Sequence, residues 1–165
     1  MGRPKVASVS GNTYRRLGNR SNIQGLSFYK AADYDASLNT VEDLANALIR
    51  FENGASLMVD VSFTLHAKQD EISVKLYGEK GGAELEPELN LILEKYDTIL
   101  NAAPQLDHRT FEFKDAFQQE INTFIAAIEG KAPTRSPVED GVELMKMLCA
   151  VYESAKTGRE VRFDQ

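Results

Sequence analysis

The chain contains no tryptophan, a single cysteine and two histidines among its 165 residues, and each scarcity removes a class of chemistry. One cysteine, Cys149, allows no intramolecular disulfide and no cysteine-rich zinc site. Its position on the apolar side of the last helical pattern is that of a packing thiol. The two histidines, His66 and His108, have no second histidine or carboxylate at a metal-ligand spacing, so both read as surface residues and no metal is expected. Basic residues are outnumbered 19 to 25 by acidic ones, and no basic run interleaves with aromatics. Nucleic acid and anionic membrane surfaces are therefore excluded as partners. No apolar run approaches the ~20 residues needed to span a bilayer, and no signal peptide is recognisable, so a cytoplasmic location is expected. Also missing is a Gly-x-Gly-x-x-Gly turn between a strand and a helix; Gly78-Glu79-Lys80-Gly81-Gly82 has the wrong spacing and reads as a turn between strands.

What is present suits one globular domain large enough to bury a core without a staple. Val6 to Ser10 alternate weakly, as an opening strand does, within a segment running from Pro4 to about Tyr14. Residues 15–39 then carry Gly18, Asn19, Ser21, Asn22 and Gly25 with little periodicity, a long surface excursion that is either a functional lid or disordered. From Asp43 onward the period is two. Leu57, Val59, Val61 and Phe63 alternate with Met58, Asp60, Ser62 and Thr64, and Ile72, Val74 and Leu76 alternate with Ser73, Lys75 and Tyr77. Asn53-Gly54 predicts a tight two-residue hairpin, and short strands are expected at Gly82 to Glu86, Asn90 to Tyr96 and Thr110 to Phe113. The sum is an antiparallel sheet.

Two helices follow. The first, about Ala116 to Glu129, repeats Phe117, Ile121, Phe124, Ile125 and Ile128 at helical spacing, with Asp115 as cap and Gly130 as stop. The second carries Val142, Met145, Leu148, Cys149 and Tyr152, opened by Ser136 as cap, Pro137 at the first position and Glu139 completing a capping box, and closed by Gly158. Burial of a large apolar side chain contributes ~1.5 to 3 kcal/mol, so both stripes are expected on the sheet. The opposite sheet face would show Met58, Tyr77 and Ile92 beside Asp60, Ser62, Lys75 and Glu94, a mixture that suits either a solvated surface or a subunit interface.

The wording of several segments is more specific than their periodicity. Val41-Glu42-Asp43-Leu44-Ala45, Arg50-Phe51-Glu52-Asn53-Gly54-Ala55, Tyr77-Gly78-Glu79-Lys80-Gly81-Gly82-Ala83 and the run from Ser136-Pro137-Val138-Glu139-Asp140-Gly141 to Gly158-Arg159-Glu160-Val161 occur in the order found in one family. From about Gly2 to Phe163 the chain resembles the C-terminal domain of the Gfo/Idh/MocA family of NAD(P)-dependent oxidoreductases. That resemblance implies an α+β fold, an open-faced, mostly antiparallel β-sheet with two C-terminal helices packed on one face. It implies a single substrate-binding and oligomerisation domain over residues 1–165, with no Rossmann domain in this chain. The family's Glu-Lys-Pro run and its Asp-x-x-x-His pair are not found here, so no catalytic and no cofactor-binding residue is assigned, and the resemblance would leave Met1 an internal residue of a longer parent.

By the same resemblance the parent would use NAD or NADP, supplied by an N-terminal Rossmann domain as partner, on a sugar, polyol or similar small polar substrate. Loops after the early strands would wall the pocket, which makes Arg15, Tyr29, Asp35, Glu42, Asp43 and His66 the substrate-pocket candidates. Glu42-Asp43 is favoured because it enters a strand directly from the loop. The open face would pair between subunits of a homo-oligomer through Met58, Asp60, Ser62, Lys75, Tyr77 and Ile92. Two other classes stay open: a stand-alone ligand-binding or dimerisation module without redox activity, and a hydrolase or isomerase built on His66 and neighbouring carboxylates.

Overall fold

The computed structural model describes residues 2–18, 35–68, 71–85, 89–105 and 113–163. These fall into two compact units, one made of residues 1–68 and 135–165 and the other of residues 69–134.

The first unit holds β1 (Val6–Tyr14), β2 (Leu44–Phe51), β3 (Ser56–Ser62), the helix α2 (Val138–Thr157) and β8 (Val161–Arg162). The strands form an antiparallel sheet in the order β3-β2-β1-β8. Its registers place Val9 opposite Ile49, Ala47 opposite Val59, and Val9 opposite Val161 on one face. Val6, Val9, Ile49 and Ala150 form the core there, with Phe51, Met147, Val151 and Phe163 packed around them, and Val9 is 0 % exposed. Alternation thus turns Leu57 and Val59 towards the helix layer and Met58 and Asp60 away from it.

The β2–β3 hairpin has three loop residues where two were expected. Gly54 N–H donates to the Phe51 carbonyl at 3.0 Å, Phe51 N–H donates to Ala55 at 2.9 Å, and Gly54 adopts φ 84°. This is a turn closed by a left-handed glycine, the second of the common hairpin solutions.

Helix α2 lies along β1 and β8. The face that meets the sheet is Met147, Ala150, Val151 and Ser154, whereas Val142, Met145, Leu148, Cys149 and Tyr152 are exposed. The stripe expected on the sheet is therefore the outer one, and Cys149 is no packing thiol in this unit. Close approach explains the choice. Gly11 N–H donates to Ser154 Oγ at 3.0 Å, and a Cβ on Gly11 would stand 3.0 Å from Val151 Cγ1. Gly11 on the strand and Ala150 and Ser154 on the helix let the two backbones come this near, and the stripe of Val142, Met145, Leu148 and Tyr152 is turned outward.

The helix begins one residue later than the capping pattern predicts. Pro137 occupies the N-cap in extended conformation and no side chain caps the helix, so Ser136 and Glu139 form no capping box. Gly158 ends it as expected, left-handed at φ 67°, donating to the Ser154 carbonyl at 2.8 Å.

The second unit holds β4 (Val74–Gly78), β5 (Gly81–Leu85), β6 (Asn90–Lys95), β7 (Thr98–Ala102) and α1 (Phe113–Ile128). The strands make a second antiparallel sheet, a meander in sequence order. One face is mostly apolar, with Leu76, Ala83, Leu91 and Ala102 in one row and Leu93 opposite Leu100, and ends in the Lys95–Thr98 pair. The other mixes Tyr77, Ile92 and Ile99 with Lys75, Glu84 and Glu94.

The α+β class and the antiparallel pairing are those implied by the sequence. The strands, however, divide between two sheets, because the β2–β3 ladder ends at Ser62 and no strand is formed before Val74 among the described residues. Helix α1 starts at Phe113, so Asp115 lies in its first turn, where its charge suits the positive end of the helix, and is not its cap. The strand expected at Thr110 to Phe113 gives way there to the helix, its first three positions lying outside the described residues. The α1 stripe of Phe117, Ile121, Phe124, Ile125 and Ile128 is exposed.

Candidate functional site at the end of the first sheet

β1 leaves the sheet at Tyr14, β2 enters it at Leu44 and β3 leaves it at Ser62, so three chain ends converge at one edge. Asp43 stands at their meeting point and is 3 % exposed. Its N–H donates to the Tyr14 carbonyl at 2.8 Å, and its own carbonyl accepts from Ser62 Oγ at 2.5 Å. Its carboxylate Oδ2 accepts the successive N–H groups of Arg16, Leu17 and Gly18 at 2.5, 2.5 and 2.9 Å. Three amides converging on one oxygen make an anion-binding concavity, here filled by a side chain of the same protein. Burial pushes the Asp43 carboxyl up, and the amides of Gly18, Leu17, Arg16 and Asp43 itself outweigh it, leaving it below the ordinary carboxylate value.

Its neighbour Glu42 has a different setting, accepting a short hydrogen bond from the Tyr152 hydroxyl. That bond, with burial and the charge of Glu42 adding to it, raises the Tyr152 pKa. Arg15 is exposed and its Nη1 reaches the Thr40 carbonyl at 3.4 Å. Arg15, Glu42 and Asp43 are thus brought together, with His66 exposed four residues beyond the end of β3.

Asp35 makes a local turn instead: its Oδ1 accepts Ser37 N–H at 2.9 Å and Ser37 Oγ at 2.6 Å, which lowers its pKa. Tyr29 and His108 lie outside the described residues. Sequence reasoning missed Asn39, Ser62 and Tyr152 as members of this cluster. Asn39 Nδ2 donates to the Gly18 carbonyl at 3.0 Å while its Oδ1 accepts Val41 N–H at 3.1 Å. An asparagine three residues before the strand-entering pair Glu42-Asp43 was the available signal.

The six interface candidates do not share one sheet. Met58, Asp60 and Ser62 belong to the first, Lys75, Tyr77 and Ile92 to the second. Met58 and Tyr77 are each 84 % exposed, Asp60 is exposed beside the Asn12–Asn46 amide pair, and Lys75 pairs with Glu84 at 3.9 Å. Ser62 is half-buried and occupied by Asp43, and Ile92 is half-buried.

The glycine run at 78–82 is the reversal between antiparallel β4 and β5, not the strand-turn-helix that cradles a pyrophosphate. A Cβ on Gly81 would lie 2.5 Å from the Ile92 carbonyl oxygen, so these glycines serve the sheet, and the residues there do not fit a dinucleotide. Among the described residues no group of carboxylates, cysteines and histidines could hold a metal. No helix among them is long and apolar enough to cross a membrane.

Residues 4–163 match the model of the oxidoreductase family C-terminal alpha/beta domain, that of the Gfo/Idh/MocA proteins. The chain belongs to this family. Among curated relatives, D-glucoside 3-dehydrogenase of Escherichia coli K12 is 26 % identical over 162 residues, which is 98 % of this chain and 43 % of the relative. D-xylose 1-dehydrogenase (NADP(+)) 2 of Haloferax volcanii is 26 % identical over 125 residues, 75 % of this chain and 38 % of that protein. A solved levoglucosan dehydrogenase, in complex with NADH and levoglucosan, shares the fold with TM-score 0.72 at 17 % identity, over 98 % of this chain and 45 % of its own. The chain spans less than half the length of these relatives, and it matches them as the C-terminal domain of an oxidoreductase.

Proposed function

We propose that residues 1–165 act as the substrate-facing and oligomerisation domain of an NAD(P)-dependent oxidoreductase whose substrate is a sugar, polyol or similar polar molecule. The family match over residues 4–163 carries this reading. It is supported by a glucoside and a xylose dehydrogenase as relatives, one of them NADP(+)-dependent, and by a fold shared with an NADH-bound levoglucosan dehydrogenase. Cofactor binding and hydride transfer are assigned to a Rossmann partner of the kind that this family joins to the domain, and the nicotinamide group supplies the hydride chemistry when bound there.

On this reading the protein's own contribution is a polar wall. Exposed Arg15, the half-buried carboxylate of Glu42 and the exposed imidazole of His66 offer donors and acceptors to hydroxyl groups, while Asp35 stands further along the same excursion. Asp43 shapes this wall from beneath. Oligomerisation is assigned to the mixed faces that carry Met58 and Tyr77.

The test is to isolate the natural polypeptide with an antibody against this domain and assay it with NAD+ and NADP+ against a panel of aldoses, glycosides and polyols. A two-domain parent of about 40 kDa that reduces either nucleotide with one of these substrates is expected. A natural polypeptide near the 18.4 kDa of this chain, without nucleotide reduction, would replace the proposal by a stand-alone binding or dimerisation module.

A further inference from the structure

We infer that Asp43 is a positioning residue: an internal anion that gathers the turn at residues 16–18 where the chain leaves β1, and so fixes where Arg15 stands. Asp43 was a candidate to touch substrate, but its carboxylate is enclosed and already receives three amides. This assignment does not depend on which substrate the domain faces.

The two feet of the excursion are stitched to each other by contacts through and beside Asp43 among the described residues. Its backbone N–H joins Tyr14 at the end of β1, and its carboxylate gathers Arg16, Leu17 and Gly18 on the departing side. On the returning side Asn39 Nδ2 meets the Gly18 carbonyl and Arg15 Nη1 meets the Thr40 carbonyl, at 3.0 and 3.4 Å. Space is equally tight. A Cβ on Gly18 would lie 2.7 Å from Asn39 Nδ2, 3.0 Å from Phe63 Cζ and 3.4 Å from Asp43 Cβ.

Backbone amides that point inward at a turn need an acceptor, because an unpaired buried donor costs free energy that water would otherwise supply. A carboxylate is the strongest acceptor a side chain can offer to several amides at once. Removing it leaves Arg16 to Gly18 without their common partner, and Arg15, one residue before them, loses its fixed position. Glu42 is held by other means, its peptide by the backbone bond from Asp43 N–H to the Tyr14 carbonyl and its carboxylate by the Tyr152 hydroxyl, so the Asp43 carboxylate acts on Arg15 and the turn that follows it.

The experiment is amide hydrogen exchange by NMR on the full chain, in the wild type, Asp43→Ala and Asp43→Asn. Exchange at Arg16, Leu17 and Gly18 should accelerate by on the order of tenfold or more in Asp43→Ala, the amount corresponding to one lost charge-assisted partner. Amides of Ala47, Leu48 and Ile49 in the middle of β2 should change little. Asp43→Asn keeps an oxygen but no charge, and its exchange at 16–18 should fall between the other two. Uniform acceleration throughout the first unit would reduce Asp43 to a general stabiliser and overturn the proposal. So would unchanged exchange at 16–18 in Asp43→Ala, or wild-type behaviour in Asp43→Asn. Should Asp43→Ala fail to fold, the local comparison of Asp43→Asn with wild type decides.

Discussion

Gly11→Ala tests how closely α2 approaches the sheet. The added Cβ would stand 3.0 Å from Val151 Cγ1, 3.2 Å from the Asn46 carbonyl oxygen and 3.4 Å from Ala47 Cβ. The Val151 methyl can shift by a few tenths of an ångström, but the Asn46 oxygen belongs to the β1–β2 ladder and is held. Pushing the helix away instead would stretch the 3.0 Å bond from Gly11 N–H to Ser154 Oγ. Overpacking of this kind costs ~1 to 3 kcal/mol, and the stiffer unfolded chain returns ~0.4 to 1 kcal/mol. The net expectation is a loss of about 1 to 2 kcal/mol. In urea unfolding followed by circular dichroism, with a slope of about 2 kcal/mol/M, the midpoint should fall by roughly 0.5 to 1 M. Ser10→Ala, one residue away on the other face, should stay within about 0.5 kcal/mol of wild type. A Gly11→Ala protein as stable as wild type would refute the close helix–strand approach on which the core assignment rests.

Val9→Ala empties the centre of the same core and should cost ~1.5 to 3 kcal/mol in the same unfolding assay, since Val9 is fully buried. Glu160 accepts Ser8 Oγ, Arg162 Nε and Arg50 Nη1, which holds its carboxyl below the ordinary glutamate value. A depressed folded pKa contributes stability above the unfolded value and loses it as pH falls through the folded one. The midpoint gap between wild type and Glu160→Gln should therefore be widest near neutrality and shrink in acid; a gap independent of pH would dissolve the assignment. Met58→Lys on the open face should leave the unfolding midpoint nearly unchanged and lower the sedimenting mass of any oligomer, and an unaltered mass would remove Met58 from the interface. Native protein should react with one equivalent of a thiol reagent at exposed Cys149 without prior unfolding.

The strands that alternate cleanly were legible because period two is a geometric property of a pleated chain that needs no tertiary information. Leu57, Val59 and Val61 share a face, and so do Leu91 and Leu93. The β6–β7 hairpin was invisible for a local reason. Its turn is Tyr96-Asp97, both at left-handed φ of 57° and 54°, with neither the glycine nor the asparagine that normally marks such a turn. Helix α2 shows the opposite limit. Its length and its Gly158 stop were readable, but it has apolar residues on two sides. Hydrophobic spacing alone selects the bulkier stripe, whereas the contact with β1 is decided by Gly11, whose lack of a side chain carries no periodicity signal.

Glu42 and Asp43 show why the site was only half readable. The order of residues placed both acids where the excursion re-enters the sheet, and that placement is correct. Adjacent residues on an extended chain point to opposite sides, so a single decision about which side is enclosed gives the pair opposite fates. Glu42 is left half-buried, with Tyr152 as its partner. Asp43 is turned inward, where the chain leaving β1 has already aimed three amides at it. That convergence depends on Gly18 being bare enough to pass Asn39 and Phe63, residues 21 and 45 positions further along the chain. A carboxylate that anchors a loop and one that meets a ligand have the same letter in a sequence. What distinguishes them is the count of protein donors around each oxygen: three amides meet Asp43 Oδ2, whereas the Glu42 carboxylate receives the Tyr152 hydroxyl.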